Sequence, residues 1–264
     1  MKKRYLMLIC LCALVLWTLW GNTALEVNEW HIQSEKLPQS FDGFRIAQIS
    51  DLHNAKNDTI LPLLEKAEPD LIVLTGDLID SRDTDVEVAL DFVREAVQLA
   101  PCCYVSGNHE SRVPARQELW MGLRELGVVM LDNASVELER NGETICLMGI
   151  ADPDFGGNYG AMLEELTAAV RGYTVLLSHR PELFEVYAEF DIDLVFSGHA
   201  HGGQFRFPIL GGLVAPHQGW FPEYDAGLFE SDGTAMLVSR GVGNSIIPIR
   251  FNNRPEIVVA ILER

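Results

Sequence analysis

Positive charge is scarce in this chain of 264 residues: 20 lysines and arginines face 38 aspartates and glutamates, a net charge of −18. Such a field repels a polyanion like duplex DNA, and no basic stripe offsets it, so nucleic acid is not expected as a partner. Cysteine is sparse too. Of the five, Cys10 and Cys12 fall in an apolar N-terminal run, Cys102 and Cys103 are adjacent, and Cys146 stands alone. This is no disulfide framework, and the odd soluble count speaks against a strongly oxidising compartment. Buried strand positions are the expected role. Neither Cys10 nor Cys12 follows the small residues a lipoprotein site needs. The chain also lacks internal repeats and low-complexity segments.

What is present begins with a separate N-terminal object. Met1-Lys2-Lys3-Arg4 is a basic cap, and residues 5–20 are uncharged and almost wholly apolar. Continued to Leu25, this is enough helix for a hydrocarbon core of ~30 Å. A secretory signal shares the basic-then-apolar order, but Asn22 with Ala24, or Gly21 with Thr23, makes a poor cleavage site. An uncleaved anchor is the favoured reading, with Trp17 and Trp20 at the outer interface and the basic cap in the cytoplasm. The rest of the chain then lies outside the cell membrane on a single-pass anchor. The expected division is an anchor or signal segment over 1–25, a linker or edge strand over 26–43, and one sizeable domain over 44–264.

Downstream, short apolar runs alternate with amphipathic stretches. Strands are expected over 45–50, 70–75, 102–105, 174–177, 194–196 and 257–262, and helices over 60–67, 86–99, 115–126, 161–170 and 182–190. Asn141-Gly142 and Asp232-Gly233 each sit between strand-like runs, as in two-residue hairpins. The strand–helix alternation of the first half implies an α/β class with parallel pairing through right-handed crossovers.

Histidine is distributed unevenly. Five of the seven fall in short clusters: Asp51-Leu52-His53, Gly107-Asn108-His109-Glu110, Ser178-His179, and His199-Ala200-His201-Gly202-Gly203 after Gly198. A fifth cluster, Gly76-Asp77-Leu78-Ile79-Asp80, adds carboxylates. Each begins where an apolar strand stops, so in a mostly parallel sheet all would meet along one carboxyl rim. In extended chain, Asp51 with His53 and His199 with His201 would each send two side chains to one side. Imidazole, carboxylate and an amide oxygen, without thiolate, suit Mn, Fe or Zn. One aspartate can bridge two such ions, as two-metal hydrolases require.

The ordered set resembles the calcineurin-like metallophosphoesterase superfamily from about Phe44 to the C-terminus. The Gly-Gly-Gln after His201, the stretch Ser239-Arg240-Gly241-Val242-Gly243, and Arg250-Phe251-Asn252-Asn253-Arg254-Pro255-Glu256 resemble its membrane-associated bacterial phosphohydrolase branch. The resemblance implies a four-layer αββα sandwich, two mixed β-sheets flanked by helices. It also implies two divalent metal ions, one on Asp51, His53, Asp77 and His201 and the other on Asp77, Asn108, His179 and His199. His109 would be the proton donor or an electrostatic group for the transition state.

The expected activity is hydrolysis of a phosphodiester at the membrane surface. A lipid-linked pyrophosphate of the UDP-diacylglucosamine type is the rival substrate. A non-catalytic metal-binding scaffold is the alternative class, and it predicts degenerate ligands. Asp80 is balanced between orienting a ligand and capping a helix, Glu110 reads as structural, and Arg240 favours a surface salt bridge over a phosphate clamp. His31 and His217 match no cluster. Phe205, Phe207, Trp220, Phe221 and Tyr224 favour core packing over an apolar wall for a lipid.

Overall fold

The structure, a computed structural model, describes residues 2–56, 58–168, 170–244 and 248–264. Met1 of the basic cap and Ala169 of the helix expected over 161–170 lie outside the described residues. Helix α1 (Lys2–Thr23) is exposed along nearly its whole length, and among the described residues it alone is long and apolar enough to cross a membrane. Its 22 residues span about 33 Å.

Two six-stranded sheets follow. The first runs in the order β1 (Glu26–Gln33), β16 (Glu256–Glu263), β2 (Arg45–Ile49), β3 (Leu71–Thr75), β4 (Cys102–Val105) and β5 (Val129–Met130). The polar stretch after α1 is therefore an edge strand, paired in parallel with the last strand of the chain. β2 to β5 are parallel, and β16 is antiparallel to β2. The second sheet runs β14 (Gly227–Ser231), β15 (Thr234–Val238), β9 (Leu194–Ser197), β8 (Thr174–Leu177), β7 (Glu143–Gly149) and β6 (Ala134–Arg140). Both expected hairpins form: Asn141 and Gly142, like Asp232 and Gly233, all have positive φ, the requirement of a type I′ turn.

The strands that read as continuous apolar runs are buried on both faces. Ile46, Val73 and Val105 meet Leu147, Val175 and Phe196 between the sheets. The outer face of the first sheet is covered by α2 (Ile60–Lys66), α3 (Val86–Leu99) and α5 (Arg116–Glu125) through Leu64, Phe92, Val93 and Leu119. The second is covered by α6 (Tyr159–Thr167) and α7 (Phe184–Ala188) through Leu163, Phe184 and Tyr187. This is the four-layer αββα sandwich. The helix expected over 182–190 is shorter, because Pro181 sets a 3-10 turn over Pro181–Leu183 before α7 begins. Between β9 and β14 the chain makes two small ribbons, β10 (Arg206–Phe207) with β11 (Gly211–Gly212), and β12 (Val214–Ala215) with β13 (Gly219–Trp220). A single turn of helix, α4 (Asn108–Ser111), follows β4.

Candidate metal centre

The clusters do not share one rim. Those after β2, β3 and β4 come from the first sheet, and those after β8 and β9 from the second, so the site lies where two rows of carboxyl ends face each other. Nor is the chain extended there. Asp51, His53, Asp77, His199 and His201 all have φ between 44° and 66°, the left-handed region that side chains of this kind seldom enter. The side chains converge because each strand ends in a tight left-handed turn, not because alternate residues of a strand share a face. Such strain is held only where the surroundings fix it. Here Asp51 N–H donates to Gly76 O at 3.0 Å, His53 N–H to Asp77 O at 3.1 Å, and His199 N–H to the Asp51 carboxylate at 3.1 Å. Gly76, with φ 87°, lets the loop after β3 press on Gly107, where an added Cβ would strike backbone.

All eight residues implicated by the sequence come together and are buried. On one side, His201 Nε2 is 3.3 Å from Asp51 Oδ1 and 3.2 Å from His53 Nε2. On the other, His179 Nε2 is 3.2 Å from each of Asp77 Oδ2, His199 Nδ1 and Asn108 Oδ1. Asp77 Oδ2 also lies 3.7 Å from His53 Nε2, so it stands between the two groups. Ligand atoms sharing an ion at about 2.0–2.2 Å stand about 3–3.5 Å apart, which these spacings match.

A second observation fits bound cations. The amide oxygen of Asn108 faces the ring nitrogens of His179 and His199, while its nitrogen faces the Arg112 guanidinium. This orientation accommodates a cation in front of the oxygen and, in the metal-free chain, an Nε2–H of His179 donating to it at 3.2 Å. The ring orientations agree: His179 Nδ1 lies 2.8 Å from Thr75 O, where it donates, leaving Nε2 toward the site.

The electrostatics follow from burial and proximity. Burial pulls the His179 imidazole down, but Asp77 and Asp51 outweigh it and hold it at about 10. Burial would raise Asp77, yet His179 keeps it well below the usual carboxylate range. Burial lifts Asp51 to about 6 against the pull of His179, and lowers His53 to about 4.

His109 accepts a hydrogen bond from Ser81 N–H at Nδ1, 2.9 Å away, which leaves its proton on Nε2, 4.0 Å from Asp77 Oδ2. Asp80 caps no helix, since Asp85 caps α3. It stands 3.6 Å from His109 Nδ1 and 4.0 Å from His53 Nδ1, a position behind both rings. Glu110 accepts from the N–H groups of Gly107, Asp77 and Ile79, tying the loops after β3 and β4 together. Arg240 is paired with Glu26 and Glu256 in a partly buried salt bridge, not a surface one. Gly241, with φ 73°, lets its segment cross directly over Asp51. Arg250 braces that segment by donating to the carbonyls of Arg240 at 2.8 Å and Gly243 at 2.5 Å.

Two residues at the site escaped the sequence reading. His217 is not ordinary: its Nδ1 lies 2.9 Å from His199 Nε2 and 2.7 Å from Arg180 Nη1. Arg180, buried behind His199, is held by both oxygens of Asp152. The one Nδ1 lone pair of His217 is shared between Arg180 and a proton on His199 Nε2; in that tautomer, the opposite of the one Arg180 Nη1 at 3.3 Å from His199 Nε2 would favour, the His199 Nδ1 lone pair faces the site. Nothing local marks His217, which arrives from the ribbon region. Arg180 follows His179 directly and was the findable one. The core role expected of the aromatic set also fails in part, since Phe207, Trp220 and Phe221 are 39%, 70% and 59% exposed, while Tyr224 is buried.

The family model of the calcineurin-like phosphoesterases matches residues 44–203. The chain is 28% identical over 253 residues to the metallophosphoesterase YkuE of Bacillus subtilis, covering 90% of this chain and 86% of that protein. It is also 28% identical over 226 residues to the phosphodiesterase YaeI of Escherichia coli, with 82% and 81% covered. In fold it is similar to TT1561 of Thermus thermophilus, at a TM-score of 0.50, 12% identity, and coverage of 76% of this chain and 91% of that one. The chain belongs to the calcineurin-like phosphoesterase family, and is a metal-dependent phosphoric ester hydrolase that uses two divalent metal ions.

Proposed function

We propose that the chain hydrolyses phosphodiester bonds at a membrane surface, with Asp51, His53, Asp77 and His201 holding one ion and Asp77, Asn108, His179 and His199 the other. The observation that carries this is the placing of Asp77 Oδ2 between His53 and His179, at 3.7 and 3.2 Å. When bound, the ions supply positive charge to the phosphoryl oxygens and lower the pKa of the attacking water. The ligand side chains contribute only two carboxylates, which leaves the centre attractive to an anionic ester. His109 keeps Nε2–H toward this centre while Ser81 occupies Nδ1, so it serves as a hydrogen-bond donor to the leaving or equatorial oxygen. Protonating it fully would break the Ser81 contact, which disfavours a proton-donor role. Glu110 holds the ligand loops in register, and Asp80, itself bonded by Arg82, places negative charge behind both rings.

Helix α1 supports an anchor, with 1–25 as the anchor segment, the edge strand within 26–43, and the hydrolase domain over 44–264 on the outer side. Manganese is the first metal to test, given the mixed imidazole and oxygen donors. The detergent-solubilised full chain with Mn should turn over bis-nitrophenyl phosphate faster than nitrophenyl phosphate. A monoester preference overturns the diester reading, and turnover kept by His199→Ala overturns the ligand assignment. The second substrate reading is a lipid-linked pyrophosphate of the UDP-diacylglucosamine type, which the closeness of α1 to the domain permits. A cavity of about 460 Å³ is lined by Asn22 and Leu25 at the end of the anchor and by His53.

A further inference from the structure

We propose that the ribbons over 205–221 form a second membrane contact, their apolar side chains seated in the interfacial zone of a phospholipid bilayer beside α1. The inference deepens the membrane-surface reading and rests on α1 spanning a bilayer. Among the described residues outside α1, the exposed large hydrophobic side chains are Met121, Val129, Phe207, Ile209, Leu210, Trp220, Phe221 and Ile249. All but Met121 and Val129 belong to the ribbons or to the loop that braces them. Singly exposed apolar residues need no explanation, but a concentration of this kind marks a contact surface.

The two ribbons are one object. Leu213 N–H donates to Phe205 O at 2.8 Å, and Phe221 N–H to Leu213 O at 2.8 Å. They rest on the loop of 249–252, where Arg206 N–H donates to Phe251 O at 2.9 Å and the rings of Phe207 and Phe251 lie 6.3 Å apart. That same loop grips the end of the anchor. Asn22 donates to Arg250 O at 2.8 Å and accepts from Arg250 N–H at 2.7 Å, while the Arg254 guanidinium sits 4.7 Å from the Trp20 ring.

Only Ala24 and Leu25 separate α1 from β1, a reach of about 7 Å. The domain therefore cannot stand off from the bilayer, and the face surrounding the end of α1 must meet lipid headgroups. Tryptophan, phenylalanine and long aliphatic side chains are what that zone accepts. With a net charge of −18 the contact depends on apolar area rather than on anionic lipid. The cavity lined by Asn22, Leu25 and His53 opens at this same face.

The test uses the full chain in phosphatidylcholine vesicles made with or without brominated acyl chains. Subtracting the emission of Trp220→Phe from that of the parent isolates Trp220, and a Trp17→Phe/Trp20→Phe variant isolates the anchor pair. Trp220 emission should fall by about half in brominated lipid and be shielded from iodide. Ile209→Glu with Leu210→Glu should abolish that quenching. Anchor quenching, bound metal and hydrolysis of the soluble nitrophenyl diester should all persist. A quenched anchor with Trp220 unquenched and open to iodide overturns the second contact alone, and leaves the ribbons to a soluble protein partner. An unquenched anchor overturns the membrane reading on which the contact rests.

Discussion

Replacing Asp77 by asparagine keeps the shape of a side chain that is 1% exposed and removes only its charge. In the metal-free chain the first consequence falls on His179, whose Nε2 lies 3.2 Å from the lost oxygen. Burial already pulls that imidazole down, and Asp77 is the largest influence holding it at about 10. Without the carboxylate the largest upward influence is gone, burial opposes only Asp51 and Asp152, and the His179 pKa should fall toward the neutral range. The depression of Asp77 by His179 is the same interaction seen from its partner and is counted once. The raised histidine contributes stability that is complete below 6.5 and lost as pH rises through about 10. The depressed carboxylate contributes stability present above 3.8 and lost as pH falls through its folded value. Asp77→Asn should therefore destabilise the metal-free fold between these limits, with the deficit closing above pH 10. Long-range proton–nitrogen NMR of the histidine rings reads the titration directly, and elemental analysis reads the metal. We expect a doubly protonated His179 at pH 8 in the parent and a neutral one at the same pH in the variant. Bound metal should fall from two ions to one or fewer, and hydrolysis by about three orders of magnitude. A variant that keeps both ions, or whose His179 titrates as before, refutes Asp77 as the shared group.

Two further outcomes follow from the same contacts. Because His179 must give up its Nε2 proton to ligate, loading with Mn at pH 8 should release about one proton per chain, and affinity should rise with pH toward 10. Calorimetry in two buffers of different ionisation enthalpy measures this, and no release would mean His179 binds no ion. His217→Ala removes the acceptor for His199 Nε2–H from a half-exposed position, so the fold should persist while affinity for one of the two ions falls ~10–100-fold. Glutamine at 217 should restore part of the affinity through its amide oxygen, and an unchanged metal titration in the alanine variant would make the contact incidental.

Much of the scaffold was legible because apolar runs report burial one segment at a time. The runs over 45–50, 70–75 and 102–105 read as buried strands, and the strands Arg45–Ile49, Leu71–Thr75 and Cys102–Val105 that form there are buried on both faces. The type I′ turns at Asn141-Gly142 and Asp232-Gly233 are local chemistry and were equally readable. Periodicity does not say which strand pairs with which. It gave no reason to insert β16 between β1 and β2, or to divide the site between two sheets. Residues 205–221 misled for a related reason, since an aromatic run looks the same whether it enters a core or faces outward.

The amino-acid sequence alone determined which residues carry side chains able to ligate a metal and that each follows a strand, because side-chain identity and hydrophobic pattern are local properties. Tertiary structure alone decided how they converge. It bends Asp51, His53, Asp77, His199 and His201 into left-handed turns, sets Asp51 against the backbone of His199, and brings His217 behind that ring. The turns are strained when taken singly, and they persist because hydrogen bonds between segments far apart in the chain hold them, a cause no local window of sequence contains.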